Sequence, residues 1–212
     1  MRAIFFLITL LLIQSTTCRS FAGESGEWAK KAALLHGETH KARRIEVISP
    51  DKRKVAVISG VTLGVRMDGK NLTVTGHTEI ETLAEMQWSA DSSAFFITES
   101  YGGAVGDWHV TVYLLGEKKV ESYDVTQKAF PAFKKHFVCI EPEDPNFGAL
   151  KWLEGSKKLL VAAEVPPHSS CPEMGKLRGY VIEVPSGNIL KEYEEDKLRT
   201  IFGEYFGNRL SR

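Results

Sequence analysis

The stretch WSADSSAFFI, residues 88–97, carries the information on which the fold turns. It reads as one apolar residue, a tight polar turn, and an apolar strand. The same message recurs at residues 152–161 as WLEGSKKLLV and at residues 48–57 as ISPDKRKVAV. In register, Val55, Phe95 and Leu159 align, as do Val57, Ile97 and Val161. Each turn holds Asp, Ser, Pro or Gly, whose local hydrogen bonding or special dihedrals favour a reversal.

The segments downstream of each copy repeat as well. After residue 95, Trp108, Val110, Val112 and Leu114 alternate, Gly116-Glu117 turns, and a return begins at Lys119. After residue 159, Tyr180, Ile182 and Val184 alternate before Pro185-Ser186-Gly187 and a return at Ile189. After residue 55, Asp68-Gly69 joins two alternating segments, a hairpin signal. Three successive four-stranded antiparallel meanders are expected, at a spacing compatible with blade-like repeats. The three opening segments resemble those of TolB-type and WD40-like β-propellers, over about residues 43–195. The resemblance implies an all-β fold, a partial or open propeller-like array of about three four-stranded sheets, and it says little about activity.

The chain divides into segments accordingly. Residues 1–22 read as a signal peptide: Arg2, an apolar run from Ala3 to Ile13, then small residues with a cleavage point after Ala22. That run is too short for a permanent membrane span. Residues 23–42 are expected to form a short helical cap, because Trp28, Ala32 and Leu35 are helically spaced. The repeat domain covers 43–195, with units at about 43–76, 85–126 and 149–195 and an insert at 126–148. A tail at 196–212 brings Ile201, Phe202, Tyr205 and Phe206 onto the sheet.

Charge is balanced, with 27 basic and 27 acidic residues. No clustered basic face is evident, which argues against nucleic acid as a partner. Export removes Cys18 with the signal, and the remaining Cys139 and Cys171 are expected to pair in an oxidising compartment, secreted or periplasmic.

Blade geometry puts three long loops on one face: Ser100 to Asp107, Thr126 to Gly148, and Val165 to Arg178. A disulfide between Cys139 and Cys171 would staple two of them. The binding-face candidates are Glu99, Tyr101, Asp107, His109, His168 and Glu173, with His136, Glu141, Glu143 and Asp144 in the insert. Their spacing defines no metal site, and no cofactor is expected. His36 and His40 are interrupted by Gly37 and lack a third ligand, and no nucleophile elbow surrounds Ser169-Ser170. The expected function is an exported, non-catalytic binding module for a protein or envelope component. The alternative is a metal-dependent or acid/base hydrolase using Asp107, His109, His168 and nearby carboxylates. Convergence of those side chains in one pocket separates the two.

Overall fold

The computed structural model describes residues 25–35, 44–102, 107–141 and 143–211. The expected signal peptide at 1–22, Cys18, His36, His40 and loop residues 103–106 lie outside them. Thirteen strands are described: β1 (Ala33–Leu34), β2 (Arg44–Ile48), β3 (Lys54–Ser59), β4 (Thr62–Met67), β5 (Lys70–Thr75), β6 (Leu83–Trp88), β7 (Ala94–Ser100), β8 (His109–Leu115), β9 (Lys119–Asp124), β10 (Asn146–Leu153), β11 (Lys158–Glu164), β12 (Leu177–Glu183) and β13 (Ile189–Glu194). Two α-helices join them, α1 (Ala129–His136) and α2 (Glu195–Phe202).

The sheet organisation overturns the expected array of three four-stranded, propeller-like sheets. Instead there is a nine-stranded mixed sheet in the order β1-β6-β7-β8-β9-β5-β4-β3-β2, and a four-stranded sheet β10-β11-β12-β13. The physical cause is one pairing. Strand β5 runs parallel to β9, with Thr73 opposite Lys119, Val74 opposite Val120 and Thr75 opposite Glu121. That ladder satisfies edge donors and acceptors that separate sheets would have left unpaired, and it fuses the first two meanders.

Turn chemistry is nevertheless built repeatedly. Ser49 Oγ lies 2.6 Å from Asp51 Oδ1 and accepts the Lys54 N–H at 3.0 Å, while Ser89 Oγ lies 2.6 Å from Asp91 Oδ1 and accepts the Ala94 N–H at 3.0 Å. Lys52 and Ser92 occupy matching left-handed positions, φ 61° and 59°. Trp88 Nε1 donates to the Val47 carbonyl at 3.1 Å, and Trp152 Nε1 donates to the Gln87 carbonyl at 3.0 Å. Each indole thus ties its unit to the preceding one at an equivalent station.

Across its described residues, 25–35, the expected N-terminal helix does not form. Residues 27–29 instead aim their backbone N–H groups at the Glu85 carboxylate on β6, at 2.5, 3.2 and 2.9 Å, and β1 adds to the β6 edge. Trp28, Ala32 and Leu35 are all buried, so the helical spacing correctly marked apolar contacts and assigned them the wrong backbone. Propensity is weak beside three hydrogen bonds to one buried carboxylate. In the tail, Phe206 is buried against the four-stranded sheet, whereas Ile201 is 51% exposed.

Two cores meet at β7, whose seven residues are all buried. Ala94 and Phe96 pack with Val110, Val112, Phe133 and Tyr180 between the sheets. Phe95 and Ile97 face the other way, among Ile58, Leu63, Met86 and Tyr113. The period-two alternation of a strand covered on both faces explains the continuous apolar run. A third cluster, including Trp28, Trp108, Leu160, Leu198 and Phe206, lies beneath the N-terminal segment and α2.

Burial pushes the Glu85 carboxyl up to about 7, against the opposing pull of the three N–H donors, and the nearby Glu27 charge adds to the rise. A carboxyl raised above its unfolded value of 4.5 favours the protonated fold. Its contribution is therefore complete below pH about 4.5 and is lost as pH rises through about 7. Chemical denaturation of wild type and Glu85→Gln between pH 4 and 8 tests this. Wild type should lose up to about 3 kcal/mol more than the variant across that window. Slopes from the other groups are common to both proteins and cancel, so parallel curves would refute the shift.

Candidate functional site

Sheet order determines which side chains meet at one end of the nine-stranded sheet. β5 is parallel to β9, β9 is antiparallel to β8, and β8 is antiparallel to β7. The end of β5, the end of β7 and the starts of β8 and β6 therefore lie at the same sheet end. Residues 76–82 connect β5 to β6 across that end, meeting β9 at His77, the start of β4 at residues 78–80 and the end of β7 at Glu81. Their course is pinned: the His77 N–H donates to Ser122 Oγ at 2.8 Å, and the Ile80 N–H donates to the Val61 carbonyl at 2.7 Å. Gly76 makes the turn possible, since its φ is +87° and a Cβ there would lie 2.2 Å from Ser122 Oγ.

Glu99 stands on the face of β7 shared with Phe95 and Ile97, and its side chain is fully buried. His77 Nε2 lies 2.8 Å from Glu99 Oε1, and His109 Nε2, from the start of β8, lies 3.4 Å from the same oxygen. Glu99 Oε2 accepts the Glu81 N–H at 2.9 Å. The two imidazoles meet edge to face, with ring centroids 6.1 Å apart. They are open where the carboxylate is not, with side-chain exposures of 35% for His77 and 42% for His109.

Burial pushes the Glu99 carboxyl up, yet its hydrogen bonds from His109 and Glu81 and the two imidazole charges outweigh this and hold it below its ordinary value. Reciprocally, the Glu99 hydrogen bond raises the His109 pKa against burial, helped by the Asp107 carboxylate and a hydrogen bond to the Asp107 backbone. This is a buried anion facing two imidazoles, a set able to share protons or to ligate a cation.

Four of the six binding-face candidates lie on these neighbouring segments. Glu99 and His109 are in the cluster. Tyr101 is exposed and hydrogen-bonds Asp107 across the base of the intervening loop, and that carboxylate pushes the Tyr101 phenol up. Asn146 Oδ1 accepts the Asp107 and Trp108 N–H groups at 2.7 and 3.1 Å, tying the start of β8 to β10.

His168 and Glu173 belong to a second group on the β11–β12 connection. Cys139, in a 3-10 turn after α1, is joined there to Cys171, with their Cα atoms 5.0 Å apart. Glu173 Oε2 approaches Cys139 Sγ at 3.7 Å, the Ser170 N–H donates to Glu143 Oε1 at 3.2 Å, and His168 is exposed at φ 67°. Elsewhere in the insert, Glu141 and Asp144 pair with Lys134, and His136 faces Glu192 at 3.5 Å. Among the described residues no helix is long and apolar enough to cross a membrane.

His77 is the residue that sequence reasoning missed. It comes after an ordinary hairpin return, far along the chain from residues 99 and 109, and its partners are set by the parallel β5–β9 ladder. In comparisons with known proteins, no family and no individual curated protein matches this chain.

Proposed function

We propose that the chain is a non-catalytic binding module of an oxidising compartment. Its partner, a protein or envelope component, meets the side chains displayed at the β7–β8 end and on the disulfide-joined loops. The observation that carries this reading is the Cys139–Cys171 link between the connection containing α1 and the β11–β12 connection. It braces two long loops on a buried β scaffold, the usual construction of a recognition surface. Tyr101, His168 and Glu173 are exposed and available for contact. The hydrolase reading is weaker because His168 does not join Asp107 and His109, which meet at the start of β8. Asp107 pairs with Tyr101, His109 with Glu99, and His168 stands on its own loop. Export through residues 1–22 is part of the same proposal.

A paired pull-down tests it, using oxidised wild type and the quadruple variant Tyr101→Ala, Asp107→Ala, His168→Ala, Glu173→Ala, with quantitative mass spectrometry of retained components. A component held by wild type and depleted about tenfold or more on the variant supports the reading; loss of one central aromatic contact alone is worth about that much. Identical profiles refute it.

A further inference from the structure

We propose that His77, Glu99 and His109 form a binding site for one divalent first-row transition metal of the zinc class. The donor atoms lie within 4.8 Å of one another. Ligands at about 2.0–2.1 Å on a tetrahedral ion stand about 3.3 Å apart. The present Nε2···Oε1 separations of 2.8 and 3.4 Å bracket that value along both edges that meet at Glu99. Two imidazole nitrogens and one carboxylate oxygen suit zinc, and are poor for calcium or magnesium, which take oxygen ligands.

A second observation is the fully buried Glu99 carboxylate, at the end of a strand covered on both faces. Buried carboxylates are found paired or coordinating metals, and the groups facing this one are two imidazoles, themselves metal-ligand types. A cation at their centre neutralises it directly. The surroundings are also those a metal site needs. The Glu81 N–H holds the second carboxylate oxygen, the Asp107 backbone hydrogen-bonds the His109 ring, and Ser122 anchors the His77 backbone. Such supporting bonds orient ligands and set affinity. With three protein ligands the fourth position opens on the exposed side of the imidazoles, where water or a partner's donor group completes the shell.

The site adjoins the β7–β8 part of the proposed partner surface but is built from other side chains, so metal binding and partner capture are read out separately. The purified, chelator-treated protein is titrated with Zn²⁺ by calorimetry and with Co²⁺ by visible absorption. One ion per chain should bind, and Co²⁺ should give the intense d–d bands of low coordination. His77→Gln and His109→Gln should each weaken Zn²⁺ binding by about 100-fold or more, beyond what loss of a supporting bond costs. His136→Gln, on α1 and outside the cluster, should bind like wild type. Histidine resonances of the unaltered protein give a second reading that needs no variant: those of His77 and His109 should shift on adding Zn²⁺. Absence of stoichiometric binding, undiminished binding in both cluster variants, or shifts confined to other histidines would overturn the proposal.

Discussion

Trp28→Ala is expected to destabilise the fold by about 3–5 kcal/mol, the cost of emptying a large aromatic site that the surroundings cannot refill. The indole has no exposed surface and meets Trp108 edge to face at 6.1 Å, with the Arg209 guanidinium 5.1 Å from its ring. Its Nε1 has no hydrogen-bond partner among the described residues, so the loss is one of packing and contains no broken hydrogen bond.

The indole lies against Gly148 on β10. A Cβ at residue 148 would sit 1.9 Å from Trp28 Cδ2, nearer than any real contact. Gly148→Ala alone should therefore cost about 1–3 kcal/mol by overpacking. In a Trp28→Ala background the same methyl enters the vacated space, and its cost should fall close to zero. Urea denaturation of the four proteins forms a double-mutant cycle, with an expected coupling of about 1–3 kcal/mol. Additive effects would mean that the indole does not occupy the gap over residue 148.

Opening the Cys139–Cys171 link is the second large effect. The cysteines are separated by 32 residues, a loop whose closure is worth about 3–4 kcal/mol in the chain-entropy account. The double variant Cys139→Ser/Cys171→Ser should lose about that much, and wild type under reductant should fall to a similar value. Any further loss in the double variant relative to reduced wild type comes from position 171, which is buried, so that the new hydroxyl must find a partner there. Non-reducing peptide mapping provides the direct check. Free thiols at both positions in the native protein, or an unchanged urea midpoint on reduction, would sink the prediction.

The cysteine pairing and the repeated turns were legible because each depends on short-range chemistry or on a scarce residue type. Ser49 and Ser89 close the same turn with the same bonds, as their matching surroundings require. Glu99 and His109 were recognisable as polar residues of the long loop segment around 100–107. His77 was not, since nothing near Gly76 indicates which carboxylate will face it. The helix expected at residues 23–42 is not formed across 25–35, its described residues, for a related reason. Trp28, Ala32 and Leu35 are spaced to be buried along one side, and that spacing serves an irregular segment equally well once Glu85 collects the backbone donors.

Sequence by itself determined the strands, their turns and the alternation that buries both faces of β7, because these arise from backbone dihedrals and from contacts between near neighbours in the chain. Tertiary structure alone decided that β5 lies beside β9 in parallel, merging two meanders into one sheet and carrying the 76–82 connection across the end of β7. Edge strands offer similar rows of N–H and C=O groups, so the choice among partners is made by packing between segments more than forty residues apart. The two imidazoles and the carboxylate meet as a consequence of that choice.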